Sequence, residues 1–451
     1  LTPGCKPRGG SAAKPAGIPA SSDTSCPMSP AVHVIKASQK CHFVIFLSWS
    51  LGLMRPSIFT QTVPRGFMHS TPSFAQQQTR RTGPLFNWLA VITLIYLILV
   101  AVGAVSHGFK GFSGGAEGAA QIFAFANNPF VALLLGILAT ALVQSSSTVT
   151  SVIVGLVAGG LPIGMAIPMV MGANLGTTIT NTIVSLGHIR DRGEFRRAFA
   201  AATVHDFFNL LAVFIFLPLE LMFGLLQKSA EALADLLAGS ADMSMQGMDF
   251  MKPLLSPALT FIDGLVAFLP GKGPAIATIC IGILLILGCV TWLGKVLQRV
   301  LVGRARDLLH RALGRGPLTG IASGTLVTVM VQSSSTTTSL MIPLAGGGVF
   351  STRQLYPFTL GANIGTTITA LLAATAISGA GAKLALTIAL VHVLFNLFAV
   401  VLIYGVPFLR ELPVKAAEGL ARVGSENKLL ALGYVAGLFF ALPALMMVAA
   451  K

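Results

Sequence analysis

The sequence predicts an all-α polytopic membrane protein built from two inverted repeats. Only 10% of its 451 residues are charged and the mean hydropathy is +0.80, whereas soluble domains carry about 25% charged residues. Three polar motifs recur at an offset of about 188 residues, each within apolar surroundings. Repetition at a constant offset indicates two copies of one structural unit.

Hydropathy places the elements in order along the chain. Apolar segments near the length that crosses a bilayer predict spans at 85–106, 165–187, 198–222, 273–297, 354–378, 382–409 and 428–450. Two further apolar segments, 119–160 and 317–349, have polar centres. Non-helical backbone is tolerated in a membrane only where protein or a cavity surrounds it. We therefore expect each of these two segments to form a re-entrant helical hairpin.

The predicted organisation has five parts. They are an N-terminal extension over 1–84, a first transport repeat over 85–225, an extracytoplasmic loop over 226–272, a second, inverted transport repeat over 273–410, and a C-terminal segment over 411–451 with the final span. The extension is rich in Pro, Ser and Gly, which indicates disorder or a start assigned too far upstream. A signal-peptide core at 42–54 is the alternative. The central loop is expected to be mostly polar or mixed.

The distribution of charge orients the spans and argues against nucleic-acid binding. The net charge is +15, and residues 1–84 hold nine Lys and Arg residues against one acid. Most other basic residues lie in short loops between apolar segments, as in cytoplasmic loops of membrane proteins. Arg80 and Arg81 place the start of the first span inside. If each hairpin returns to the side it entered from, each repeat crosses the membrane three times. An odd number of crossings requires the second repeat to be inverted relative to the first.

The three motif pairs carry the chemistry. The tip motifs read Val-Gln-Ser-Ser-Ser-Thr at 143–148 and 331–336, the glycine motifs Gly-Ala-Asn-x-Gly-Thr-Thr-Ile-Thr at 172–180 and 361–369, and the histidine motifs His-x-x-Phe-Asn-Leu at 205–210 and 392–397. The tip hydroxyls can satisfy the backbone where each hairpin breaks. Glycine tolerates irregular backbone, so we expect the facing span to unwind beside each tip.

Neither the tip motifs nor the glycine motifs contain Lys or Arg. Backbone amides and helix N-termini suit a small oxyanion, and hydroxyl and amide oxygens suit a hard cation such as sodium. An anion is poorly stabilised alone in a low-dielectric site, and a co-bound cation offsets this. Such mutual dependence is the basis of symport. The alternative is that these small residues only mediate helix packing.

On these motifs, and on Phe195–Asn209, residues 85–450 resemble the type II sodium-dependent phosphate cotransporter family. The resemblance implies sodium-coupled symport of inorganic phosphate into the cell by alternating access, with sodium as co-substrate, no cofactor and no other metal. By similarity, the phosphate- and sodium-binding residues are Gln144, Ser145, Ser146, Ser147, Thr148, Asn174, Thr177, Thr178, Gln332, Ser333, Ser334, Ser335, Thr336, Asn363, Thr366 and Thr367.

Accessory site residues come from the histidine motifs. They are His205, Asp206, Asn209, His392 and Asn396. Ionisable residues inside spans are functional candidates by default, and a structural role close to the Arg-rich loop is the alternative. Asp206 has no acidic counterpart, because Val393 takes its place in the second repeat. Any cation site that uses it would differ between the halves.

Two other functions stay open from the residues alone: a sodium-coupled carrier of another oxyanion such as sulfate, and an anion channel. An enzyme is not expected, because the serine motifs lack the Gly-x-Ser-x-Gly setting and an adjacent base, and the chain has no CxxC or Cys/His metal spacing. The expected partners are phosphate, sodium and membrane lipid, with no nucleic acid; a homodimer is also considered. We expect a multi-pass protein of a prokaryotic plasma (inner) membrane, since 226–272 lacks Cys and Asn-x-Ser/Thr.

Overall fold

The computed structural model describes residues 84–114, 117–118, 121, 128–239, 251–312 and 316–449. Residues 1–83 of the predicted N-terminal extension lie outside these residues. Within them the regular structure is helical throughout. The prediction of an all-α polytopic membrane protein is confirmed.

Seventeen α-helices follow one another along the described chain. They are α1 (Pro84–Ser113), α2 (Pro129–Val143), α3 (Ser146–Ala158), α4 (Ile163–Gly176), α5 (Ile179–Ser185), α6 (Arg192–Phe223), α7 (Leu225–Gly239), α8 (Met251–Val266), α9 (Gly273–Ala312), α10 (Pro317–Val331), α11 (Ser334–Ser339), α12 (Met341–Gly346), α13 (Thr352–Ala374), α14 (Ala382–Ala399), α15 (Pro407–Glu426), α16 (Lys428–Ala436) and α17 (Leu442–Ala449). Two π-helical segments, Val400–Tyr404 and Gly437–Ala441, extend α14 and join α16 to α17.

Seven helical segments of the described chain are long and apolar enough to cross a membrane. They are Leu85–Ser113, Ile163–His188, Arg192–Phe223, Gly273–Leu297, Thr352–Ala374, Ala382–Tyr404 and Lys428–Met446. Each coincides with one of the seven predicted spans. Continuous apolar stretches of about 20 residues have few alternatives to a spanning helix, which is why composition located them.

Both predicted hairpins break in the middle, at the tip motifs. In the first, α2 ends at Val143 and α3 begins at Ser146. In the second, α10 ends at Val331 and α11 begins at Ser334. The half-helices are too short to span a bilayer alone.

The prediction that the glycine motifs unwind is wrong for the second repeat. Helix α13 runs without interruption through Gly361 and Gly365. In the first repeat the helix is interrupted at Thr177 and Thr178, but both keep right-handed helical angles. The glycines serve close packing instead. A Cβ on Gly172 would overlap the carbonyl oxygen of Leu133, so the backbones of α4 and α2 are in direct contact.

The segment predicted as a mostly polar or mixed loop contains two helices. Leu226, Ala230 and Ala234 are buried along one face of α7, at the spacing of an amphipathic helix. Leu255 and Ile262 are buried on α8 in the same way. The alternation of polar and apolar residues at helical period explains the error, because average polarity hid a 3.6-residue pattern.

The C-terminal part also holds more structure than predicted. The span that begins at Ala382 ends at Tyr404 rather than near 409, and the separate helix α15 follows. Its buried Ala421 joins Phe195 and Phe199 of α6 in one apolar cluster. Arg192 and Glu426 form an ion pair at 3.0 Å between the same two helices. Helix α15 therefore packs along α6 before the final span begins.

The two hairpins close at opposite ends of the spans between them. At the end of the first hairpin, Gly159 lies against Phe109, and a Cβ on Gly381 would contact Ala158. At the end of the second, the Arg197 Nε–H donates to the carbonyl oxygen of Gly346 at 2.8 Å. Helices α4 and α5 run from the first of these ends to the second.

Candidate functional site

The first tip is built from a left-handed residue and a serine cap. Gln144 has φ +58° and closes α2 through a hydrogen bond from its backbone N–H to the carbonyl of Thr140. Ser145 is extended and caps α3: its Oγ accepts from the backbone N–H of Thr148 at 3.3 Å. The Thr148 hydroxyl also donates to Ser145 Oγ at 3.0 Å. The result is a chain reversal in which Ser145 caps one amide of α3 and leaves the first amides of that helix facing the break.

The second tip repeats this geometry residue for residue. Gln332 has φ +54° and its N–H bonds to the carbonyl of Thr328. Ser333 caps α11, accepting from the backbone N–H of Thr336 at 3.2 Å. Gln144 and Gln332 are the non-glycine residues with positive φ in the described chain. The same strained position in both repeats indicates that the tip conformation, and not only its sequence, is duplicated.

The glutamine side chains link each tip to a glycine motif. Gln144 Nε2 donates to the carbonyl of Ala141, and its Oε1 accepts from the Thr180 hydroxyl at 2.9 Å. In the second repeat Gln332 Oε1 accepts from the Thr369 hydroxyl at 3.0 Å. Neither threonine was among the expected site residues. Their recurrence at the end of both glycine motifs was a signal that could have identified them.

The asparagines of the glycine motifs meet the histidine motif of the opposite repeat. His205 Nε2 bonds to Asn363 Oδ1, and His392 Nε2 lies 3.5 Å from Asn174 Oδ1. The six residues of this Asn–His cluster are Asn174, His205, Asn209, Asn363, His392 and Asn396, each 2% exposed or less. The tertiary structure thus brings together, in the interior, side chains that are up to 222 residues apart.

Amide hydrogen bonds join the cluster across the repeats. Asn209 Oδ1 accepts from Asn174 Nδ2 at 3.0 Å and from Asn363 Nδ2 at 2.8 Å. Asn174 Nδ2 also donates to Asn396 Oδ1 at 3.1 Å. These amide N–H groups donate to one another, whereas an oxygen that accepts one bond, such as Asn396 Oδ1, keeps a second lone pair. Nδ1 of His205 and Nδ1 of His392 have no hydrogen-bond partner among the described residues, so the network is satisfied at its amides but not at its imidazoles.

Asp206 lies outside this cluster, in a setting of hydroxyl groups. Its carboxylate is fully buried, and Oδ2 accepts from the Tyr434 hydroxyl at 3.0 Å and from Thr182 at 3.4 Å. The Thr178 hydroxyl also contacts the carboxylate. Oδ1 has no hydrogen-bond partner among the described residues. A buried carboxylate with an unsatisfied oxygen is stabilised by a cation.

One dipeptide connects both tips. Thr180 bonds to Gln144 of the first tip, and its neighbour Asn181 donates to the Thr338 hydroxyl at 2.8 Å, in the helix that follows the second tip. Ser339 also donates to Asn181 Oδ1, at 3.1 Å. The two tip regions therefore lie on either side of α5. Asn181 was not expected as a site residue, and Ala370 takes its place in the second repeat.

The other four threonine hydroxyls of the glycine motifs donate to nearby backbone carbonyls of their own segments. Thr177 donates to the carbonyl of Ala173, and Thr366 donates to that of Ala362. Thr178 and Thr367 bond to carbonyls three residues earlier in the same way. Their oxygen lone pairs point away from these bonds and suit a hard cation. In the described part of the chain, no three His, Cys, Asp or Glu side chains come together as a metal site.

Comparison with known proteins finds similarity to sodium-dependent phosphate transport proteins. A family model described as Na+/Pi-cotransporter matches residues 97–253 and 284–408. The human sodium-dependent phosphate transport protein 2B is 33% identical over 79% of this chain, and the orangutan (Pongo abelii) protein 2B is 32% identical over the same share. The rat sodium-dependent phosphate transport protein 2A is 32% identical over 83% of the chain.

The chain spans 64% of the length of the two 2B relatives and 69% of the rat 2A protein. No solved structure matches it. Both segments of the family match contain one tip motif, one glycine motif and one histidine motif.

Proposed function

Because this chain belongs to the Na+/Pi-cotransporter family, we propose that it carries inorganic phosphate across the membrane together with sodium. The observation that carries the proposal is the pair of matched tips, each with a left-handed glutamine followed by a capping serine. Paired broken segments in two repeats are the best structural pointer to the binding site of a transporter.

Phosphate is assigned to the tips. The serines from Ser145 to Ser147 and from Ser333 to Ser335 supply hydroxyl donors, and α3 directs its N-terminal amides towards the first break. Donors of this kind suit a phosphate oxygen. Hydrogen phosphate also carries a proton that needs an acceptor, which a glutamine Oε1 supplies. Sulfate has no such proton at neutral pH, and this difference favours phosphate over sulfate.

Sodium is assigned to Asp206 and the threonines around it. The Asp206 carboxylate is the one acid within the three motif pairs, and the Thr178 oxygen lies beside it. A carboxylate oxygen and hydroxyl oxygens match the ligands that hard cations prefer. The positive charge of sodium would offset both the buried carboxylate and the charge of phosphate. Each ion would then raise the affinity for the other.

Alternating access is proposed to arise from the two inverted repeats. The contact of Gly346 with Arg197 and the contact of Ala158 with Gly381 lie at opposite ends of the intervening spans. This supports a model in which each hairpin controls access from one side. The Asn–His cluster crosses between the repeats, so movement of one repeat must alter hydrogen bonds to the other.

The test is uptake of radiolabelled phosphate into proteoliposomes. We expect uptake that requires an inward sodium gradient, disappears when potassium replaces sodium, and persists in excess sulfate. Uptake that is indifferent to sodium would exclude symport. Full competition by sulfate would exclude phosphate selectivity. Uptake that does not saturate as the phosphate concentration rises would indicate a channel.

A further inference from the structure

Tyr434 contacts Asp206 from outside both repeats. It lies in the final span, and the family match ends at residue 408. Its hydroxyl donates to Asp206 Oδ2 at 3.0 Å, and this bond is shorter than the 3.4 Å bond from Thr182 to the same oxygen. Neither repeat has a tyrosine in its tip, glycine or histidine motifs. The final span therefore reaches, through α16, a carboxylate that the repeat pattern alone does not explain.

Aromatic packing fixes the position of the Tyr434 ring. The ring stacks on Phe207 with centroids 6.2 Å apart, and Phe439 meets it edge-on at 6.4 Å. Phe439 is fully buried and lies in the π-helical segment Gly437–Ala441. Single π-helical turns within α-helices are frequent at functional sites, where they reorient side chains. One turn below, buried Ala431 packs against Gly424.

This packing gives the hydroxyl a defined direction. Tyrosine has few rotatable bonds, so the two ring contacts fix the position of its hydroxyl oxygen next to the Asp206 carboxylate. A hydrogen bond to Oδ2 sets the rotation of the Asp206 carboxyl group and thereby directs Oδ1. Oδ1 is the oxygen with no hydrogen-bond partner in the described part of the chain, and it is the one available as a cation ligand.

We propose that Tyr434 is a positioning residue for the sodium site, holding the Asp206 carboxylate so that Oδ1 faces the ion. The proposal rests on the assignment of sodium to Asp206. Tyr434 does not touch the ion; it acts through the carboxylate. Because Val393 replaces Asp206 in the second repeat, this arrangement exists once, and one sodium site alone depends on it. The final span is thus part of the transport machinery.

The test compares Tyr434→Phe with Tyr96→Phe in proteoliposomes, varying sodium at saturating phosphate and phosphate at saturating sodium. Tyr434→Phe keeps the ring and loses the hydroxyl. We expect the half-saturating sodium concentration to rise about tenfold, the size of losing one hydrogen bond to a charged group. The half-saturating phosphate concentration at saturating sodium should stay within about twofold of the wild-type value. General damage to the protein would instead change both half-saturating concentrations.

Tyr96→Phe is the matched control. It also removes one tyrosine hydrogen bond, from its hydroxyl to the carbonyl of Leu254 at 3.1 Å, and it should leave both half-saturation values unchanged. A second measurement needs no transport: sodium raises the apparent melting temperature of the purified protein, and Tyr434→Phe should need about tenfold more sodium for the same rise.

Four outcomes decide between the hypotheses. A Tyr434→Phe protein with normal sodium dependence overturns the positioning role. A Tyr434→Phe protein with a lower maximal rate but an unchanged half-saturating sodium concentration also overturns it. A Tyr434→Phe protein that no longer inserts does the same, since either result assigns the hydroxyl to folding. Asp206→Asn is the separate control: if it transports with normal sodium dependence, the sodium assignment itself fails, whatever Tyr434→Phe does.

Discussion

Gln144 and Gln332 combine a strained backbone with two specific side-chain bonds. A left-handed conformation costs a non-glycine residue about 1–2 kcal/mol. The Gln332 side chain offsets this cost, because Nε2 donates to the carbonyl of Val329 at 2.8 Å and Oε1 accepts from Thr369. Glycine would relieve the strain, yet both repeats have glutamine. The retained side chain indicates a role for the amide at the tip.

Replacing Gln332 separates the backbone requirement from the amide requirement. We expect Gln332→Ala and Gln332→Gly to lose sodium-coupled phosphate uptake alike, because both remove the bond to Thr369, while both proteins remain inserted and monodisperse. Uptake assays and size-exclusion profiles measure this. Gln227→Ala, on α7, is the control with normal uptake. Recovery of uptake in Gln332→Gly would show that the tip needs only its left-handed turn.

At the level of helices, glycines determine how closely the first half of each hairpin approaches its partner span. Gly136 and Gly172 let α2 and α4 touch through their backbones, and Gly324 and Gly361 do the same for α10 and α13. Small residues permit such close crossings in membranes, where packing and polar contacts replace the hydrophobic effect. The rigid pairs position the tips relative to the Asn–His cluster.

Adding one methyl group tests this close crossing. Gly361→Ala places a Cβ against the carbonyl of Ile321, and overpacking of this kind costs about 1–3 kcal/mol. We expect its apparent melting temperature in detergent to fall clearly below that of the wild type. Gly288→Ala, whose Cβ would meet nothing within 4 Å, should be neutral or gain up to about 1 kcal/mol from helix propensity. Equal melting temperatures would contradict the crossing.

For the whole molecule, the opposed closure of the two hairpins predicts the sidedness of the protein. Gly187 lies beside the Arg-rich segment that contacts Gly346, and Gly264 lies on α8 in the segment between the repeats. A Cβ at either position would meet nothing within 4 Å, so cysteine is tolerated at both. The charge pattern predicts that the first position is cytoplasmic and that the second is on the outer side.

Labelling of single cysteines in a cysteine-free background measures this sidedness. We expect Gly264→Cys to react with a membrane-impermeant maleimide in intact cells. Gly187→Cys should react only after the membrane is opened, because the charge pattern predicts that its segment is cytoplasmic. Labelling of both positions from one side of the membrane would disprove the predicted topology, including the cytoplasmic start of the first span. The cysteine-free parent, which should not react, is the control.

The sequence by itself determined the helical membrane class, all seven spans and the places where both hairpins break. These features depend on local composition and on repetition, which are visible without tertiary contacts. It also named the six residues of the Asn–His cluster as candidate site residues, because ionisable and amide side chains within apolar spans are conspicuous, but it did not predict that they meet. It did not reveal α7 and α8, whose helical periodicity was hidden by their average polarity.

Only the tertiary structure decided which groups meet. It pairs Asn363 with His205 of the other repeat and Tyr434 with Asp206. It also assigns Gly361 to close packing rather than to unwinding. Periodicity specifies which residues share a helix face, but partner choice depends on how helices far apart in sequence cross. That information lies in the packing of the folded chain.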